Sequence, residues 1–216
     1  MGLSDIFVDF SAPETDSRQV GVARAEVISV LDSLMLGRVQ VSIPSLPDIE
    51  PWAPVCAPFA GEGYGLWCMP QVGDTVIVAF EHGDPALPIV IGSIWSSSGD
   101  APIDQPLDAQ YKRVLKTPGG HTLVFDDLLK KITLSHAAEH TVELAMDGIT
   151  ISLAGGAASL TLSAKGSAAL AGKTSAEVKA PKTAVKGDLT LDVEGATTTV
   201  KADGTLRISG GLVTIN

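Results

Sequence analysis

The chain has 216 residues, 45% of them apolar and 19% charged, with 15 Lys and Arg against 25 Asp and Glu for a net charge of −10. A chain this acidic is not drawn as a whole to phosphate backbones or anionic lipid, so nucleic acid is not an expected partner. Its apolar runs, such as Val76–Phe80, fall far short of the ~20 residues a membrane-spanning helix requires.

The charge is unevenly spread. Residues 1–100 hold 13 acidic and 3 basic side chains and 8 of the 10 aromatics, whereas residues 101–216 hold 12 of each sign and only Tyr111 and Phe125. Between the halves, Ser96-Ser97-Ser98-Gly99-Asp100-Ala101-Pro102 and the stretch to Pro106 have linker composition. The expected division is an N-terminal arm (1–18), a barrel (19–97), a linker and neck (98–130) and a shaft (131–216).

The arm opens Met1-Gly2-Leu3-Ser4-Asp5, acidic and without a basic stretch ahead of an apolar one, so no secretory signal is read and assembly in a cytoplasm is expected. Five strand candidates follow: Val20–Val30, Gly37–Ile43, Trp52–Ala57, Gly73–Phe80 and Pro88–Trp95. Arg38-Val39-Gln40-Val41-Ser42-Ile43 alternates strictly, with Val39, Val41 and Ile43 on one face. Five short strands without helical periodicity fit a Greek-key barrel of the oligonucleotide/oligosaccharide-binding (OB) type, other small barrels remaining open.

The intervening segments show little chemistry. Gly61-Glu62-Gly63-Tyr64-Gly65 lacks the Lys-Ser/Thr and following helix of a phosphate loop, and reads as a turn with Tyr64 packed over the barrel mouth. Glu81-His82-Gly83-Asp84-Pro85 reads as a hairpin turn, which makes His82 a loop residue. Cys56 and Cys68 are too few for a disulfide framework and lack zinc-site spacing, so both are expected to be small buried hydrophobes.

Taken in order, Gly37-Arg38-Val39, Pro51-Trp52, Pro70-Gln71-Val72-Gly73-Asp74, Phe80-Glu81-His82-Gly83-Asp84-Pro85 and Pro88-Ile89-Val90-Ile91-Gly92-Ser93-Ile94-Trp95 resemble the barrel of contractile-tail spike proteins. These are the phage baseplate assembly protein V group and the spike half of type VI secretion VgrG proteins. The likeness covers about residues 20–130, and Lys116–Asp127 resembles the segment leading from barrel to needle. The resemblance implies a homotrimer that docks beneath a tail hub protein and drives a rigid needle into a target cell envelope. It also implies a place in a virion baseplate, a tailocin or an extracellular injection particle.

The shaft is readable without that likeness. From Lys131 onward, apolar residues alternate with polar ones and glycine recurs, best in the eight-residue step from Gly187 to Gly195. Each strand offers two or three inward Val, Leu, Ile or Ala side chains, and a lone sheet of this kind would expose an apolar face and two edges. The expected solution is an intertwined, triple-stranded β-helix, a triangular prism in which backbone partners come from the other two chains. About ten units stacked at ~4.8 Å give a needle of roughly 50 Å, longer than the ~30 Å hydrocarbon layer. The fold class is thus all-β, an OB barrel followed by a trimeric needle.

No cofactor and no catalytic group is expected, since no nucleophile elbow, paired carboxylates or triad stands out. His136 and His140 are read onto a strand, sharing a face, where three-fold symmetry would offer an axial ion site as the alternative to plain outward polar residues. Asp126-Asp127 is read as a turn. Only about 20 residues connect Trp95 to the Lys116 segment, too few for the lysozyme domain some spikes insert there. The chain ends without the His-x-His tip of others, so Leu212, Val213, Thr214, Ile215 and Asn216 are expected to bind a separate PAAR-like tip protein. Two alternatives remain from other classes: an OB binding module, or a β-helical receptor-binding fibre.

Overall fold

A computed structural model describes residues 21–215, so the expected N-terminal arm (1–18) and Asn216 lie outside the described residues. The chain divides into two compact units between residues 137 and 138.

The first unit begins with β1 (Val22–Ser29), β2 (Arg38–Ser42), β3 (Trp52–Pro54), a two-rung hairpin of β4 (Ala60–Gly61) and β5 (Tyr64–Gly65), β6 (Thr75–Phe80) and β7 (Pro88–Ser93). The main sheet has the order β3-β2-β1-β6-β7. All four of its ladders are antiparallel. Past β3, Val55 bridges Val90 and the Cys56 N–H donates to the Val90 carbonyl at 2.8 Å, so the chain leaving one edge strand meets the other edge and the sheet closes.

Alternation explains the interior. Ala25 and Val27, Val39, Val41 and Ile43, Ala53, Val76 and Val78, and Val90 are all buried and form one cluster. Successive strand side chains point to opposite faces, so residues two apart fill the same core. The fillers are small and β-branched, which suits a narrow barrel; each fully buried Val contributes roughly 1.5–3 kcal/mol of hydrophobic stabilisation. The β6–β7 connection is a 3₁₀ turn, Glu81–Gly83, with His82 at φ 53°, so His82 is a loop residue as read. The cysteines differ from expectation: both are exposed. They sit on loop backbone beyond β3 and β5, outside the alternating strands that build the core.

A short helix, α1 (Asp108–Tyr111), leads into β8 (Lys112–Lys116), β9 (Thr122–Asp126) and β10 (Lys131–Ser135). Asp108 is 5% exposed, meets Lys112 at 3.1 Å and accepts the Asp104 N–H, which fixes the turn into β8. β8, β9 and β10 form a consecutive antiparallel meander. Asp126 closes its second turn by accepting the Leu129 N–H at 2.8 Å, as the turn reading of Asp126-Asp127 anticipates.

The second unit contains β11 (Thr141–Ala145), β12 (Gly148–Ser152), β13 (Ala158–Ser163) and β14 (Ala168–Gly172), again a consecutive antiparallel meander. Strands between 131 and 172 therefore pair within their own chain, which corrects the expectation that every backbone partner comes from other chains. Tight turns, including Met146-Asp147, connect them and make the adjacent strand the nearest partner. No strand is present from residue 173 to 215, and Leu189, Val193, Val200 and Ile208 there are 97%, 70%, 67% and 66% exposed.

Gly148 holds the β12–β13 register: at φ 151° its Cβ position coincides with the Leu162 carbonyl across the ladder. Gly166, at φ 89°, has open space around the same position. Gly148→Ala is expected to cost more than the roughly 1–3 kcal/mol of backbone strain alone, and Gly166→Ala no more than that strain. Thermal unfolding of the two variants checks the order; equal losses would contradict the register role.

Candidate assembly surfaces

The meander strands carry their leucines and isoleucines on one face, with the Val114–Val124 pair of the first unit on the other. In the second unit the register aligns Val142, Ile151, Leu160 and Leu170 in one cross-strand row and Leu144, Ile149 and Leu162 in another. Polar rows, such as Thr141, Ser152 and Ser159, occupy the other face. Ile149, Ile151 and Leu162 remain 40–42% exposed and Leu170 63% exposed. In the first unit, Leu115, Leu123 and Leu134 form one row and Phe125 and Ile132 lie in the next. Leu115 and Leu134 are each 52% exposed. Apolar rows of this size facing water mark an interaction surface.

The expected tip residues are exposed as well: Leu212 and Ile215 are each 87% exposed and Val213 48%, with Thr214 exposed beside them. Asn216 lies outside the described residues. The histidines fall elsewhere than expected. His136 follows the end of β10 and His140 precedes β11, so neither is on a strand. Strand alternation stops where the backbone turns, which removes the argument for a shared face. His136 instead packs its ring 4.5 Å from that of His121, whose Nδ1 accepts the Ala137 N–H. The His140 Nδ1 accepts the Ala154 N–H at 3.0 Å. Among the described residues no group of three or more His, Cys, Asp or Glu is gathered for a metal.

One feature of the barrel is missing from the sequence reading. The β1–β2 connection is organised by Asp32, whose side chain is only 7% exposed. Arg38 grips its two oxygens through Nη2 at 2.7 Å and Nε at 3.2 Å, while the Leu34 and Leu36 N–H groups donate to the same carboxylate. Arg38 also lies 5.6 Å from the centre of the Trp52 ring. The loop so braced turns Leu34, Met35 and Leu36 outward at 62%, 87% and 63% exposure. Beside it opens a cleft of about 670 Å³ walled by the loop and by residues 55–69, including Trp67, Tyr64 and both cysteines. Gly37, at φ 71°, lets the Trp67 ring lie against the loop. The signal in the sequence is an Asp six residues ahead of an Arg that opens a strand.

Residues 23–95 match the family described as the type VI secretion system/phage-baseplate injector OB domain, and residues 112–168 match the phage baseplate V C-terminal trimerisation domain. Together the matches cover more than half of the chain. The chain belongs to the phage-baseplate and type VI secretion spike family. Among curated proteins it is 36% identical over 102 residues to the type VI secretion system spike protein VgrG3 of Vibrio cholerae, covering 42% of this chain and 10% of that one. It is 38% identical over 72 residues to the spike protein VgrG4b of Pseudomonas aeruginosa, covering 32% and 9%. The actin cross-linking toxin VgrG1 of Vibrio cholerae is 35% identical over 81 residues, covering 35% and 7%. The chain thus matches about a tenth or less of the length of these relatives. As family members the matched segments explain the two architectures: a closed OB barrel, and meanders whose apolar faces belong to a trimerisation domain.

The Arg38 guanidinium first, and then the loop N–H groups, hold the Asp32 carboxyl well below the usual carboxylate range. Its proton is released more readily in the folded than in the unfolded chain, so ionised Asp32 favours folding. That contribution is complete above about pH 4 and is lost as the pH falls below it. Asp32→Asn is expected to melt several degrees below wild type at pH 7, with the gap narrowing as the pH is lowered from 4 toward 2.5. Melting curves across that range check it; a gap constant with pH would exclude the ion pair as its source.

Proposed function

We propose that the chain is the central spike of a contractile injection machine, a homotrimer that acts mechanically and not as an enzyme. The observation that carries this reading is the run of cross-strand apolar rows left open to water in a segment that matches a trimerisation domain. Three copies facing inward bury those rows against one another, and no other element of the described chain covers them. Beyond residue 172, where no in-chain ladder forms, strands complete their hydrogen bonds with the other two copies as a triple-stranded β-helix.

In this arrangement the barrel (19–97) docks beneath the tail hub protein with help from the arm (1–18), the segment 98–130 forms the neck, and 131–216 is the needle. A prism whose core is interwoven among three chains cannot bend or open locally without separating backbone ladders, so it transmits thrust into the target envelope. Leu212, Val213, Thr214, Ile215 and Asn216 form the end on which a conical PAAR-like tip protein sits, covering apolar side chains and strand edges. The particle is assembled in the bacterial cytoplasm and acts as a virion baseplate or extracellular injection particle component.

Two measurements test this. The mass in solution is expected near three times 22.3 kDa, in a species that resists SDS until boiled; a folded monomer overturns the spike. Removing residues 212–216 is expected to abolish capture of a PAAR-like protein while leaving the trimer intact, and unchanged capture excludes that end as the tip site.

A further inference from the structure

The cleft beside the braced β1–β2 loop has a composition that stands apart from its barrel. From residue 51 to residue 73 the chain carries a single charged side chain, Glu62, while the barrel around it is strongly acidic. The wall is formed by Val55, Tyr64, Leu66, Trp67 and Met69. Trp67 is 71% exposed and Tyr64 68%. Rings and aliphatic chains of this size, gathered into one concavity, are the composition of an interface core.

The loop on its rim is built to be presented. Met35 sits at φ 52°, a conformation unfavourable for any residue with a Cβ and tolerated here because Asp32 and Arg38 fix the backbone on both sides. Strain that displays a large apolar side chain to water serves no purpose in the barrel's own core. It does serve binding, because a loop already ordered loses little conformational freedom on contact.

We infer that the occupant of this cleft is the barrel of a neighbouring copy, the Leu34-Met35-Leu36 loop of each chain seated in the cleft of the next around the three-fold axis. This rests on the trimeric spike reading. Two observations select a second copy. First, β7 ends at Ser93 and the trimerisation match begins at residue 112, so a connector of fewer than twenty residues tethers each barrel to the shared axis. At roughly 3.5 Å per residue its reach is at most about 60 Å, which keeps neighbouring barrels at millimolar effective concentration. Second, two acidic barrels repel wherever their carboxylates meet, and this is the surface where they do not: Asp32 is neutralised by Arg38 and the cleft wall is almost free of charge. The loop is one wall of its own cleft and residues 55–69 the other, so around a three-fold axis the outward side of each loop meets the 55–69 wall of the next chain and the contact closes as a ring of three.

The two native thiols on the cleft wall are the reporters. In the full-length trimer, Cys56 and Cys68 are expected to react with a bulky maleimide at least ten-fold more slowly than in the Met35→Glu trimer, in which each contact gains a buried, unpaired charge. Leu34→Glu serves as a second variant should the first fail to assemble. A trimer mixed from wild-type chains and differently tagged chains carrying Met35→Cys, Cys56→Ser and Cys68→Ser is then treated with a short bis-maleimide. Covalent dimers joining the two tags support the inference. Thiols as reactive in wild type as in both variants, or cross-linking with no mixed dimer, overturns it and leaves the cleft to a hub-type protein or to the chain's own N-terminal segment. A monomeric mass removes the spike reading itself, and is seen before either thiol experiment is done.

Discussion

An antiparallel meander that gathers its leucines and isoleucines on one face has a hydrophobic surface and, within one chain, nothing to lay against it. That constraint governs the C-terminal half of this protein. The rows of Val142, Ile151, Leu160 and Leu170 and of Leu144, Ile149 and Leu162 are in register and roughly 40–60% exposed where exposure is large. Burying about 25 cal/mol worth of hydrophobic free energy per Å² is available only through association. The barrel obeys the opposite condition. Its two edges meet through Val55, Cys56 and Val90, and its core of nine buried side chains is filled within one chain.

The two strategies suit different tasks in the proposed spike. A closed barrel folds locally, with short connections between neighbouring strands, and presents loops whose composition can vary without disturbing the core. A shaft held by association gains rigidity from covering the same rows three times over. Its polar face pairs Thr150 with Thr161 and Ser152 with Ser159, in the half of the chain where acidic and basic side chains are equal in number. The excess of negative charge lies in residues 1–100 instead, most of it in the barrel. Acidity there keeps separate particles apart in solution, while a neutral shaft lets three copies approach along its length without mutual repulsion.

The period-two pattern made the barrel legible. Val22–Ser29, Arg38–Ser42, Thr75–Phe80 and Pro88–Ser93 fall inside the segments that alternation marks, because half-buried strands must alternate. Side chains off the strands were not readable in this way. Cys56 and Cys68 lie on loop backbone, where residue type carries no information about which way a side chain faces, and the general tendency of cysteine to be buried misleads. His136 and His140 flank a turn that interrupts the alternation on either side of it. The Asp32–Arg38 brace depends on a backbone path that no local pattern specifies, although an Asp opening a loop is a common organiser of neighbouring N–H groups.

The shaft shows where a single chain's sequence runs ahead of its own structure. Alternation continues through Leu189, Leu191 and Val193, and through Leu206 and Ile208, with the same quality as through β12 and β13. Yet the first set forms no ladder and the second does. The difference lies in the connections. Between β11 and β14 the turns are tight enough for each strand to find its successor, whereas the later strand-like stretches are separated by Gly187, Gly195 and Gly204, spaced at eight and nine residues. In the proposed needle each of these glycines is a corner that sends the chain onward instead of back, so the next segment is out of reach as a hydrogen-bonding partner. In the proposed needle, strand-forming side chains joined by such corners are satisfied by the other chains running alongside, so the glycine spacing, more than the apolar content, is what favours an interwound shaft over an ordinary sheet.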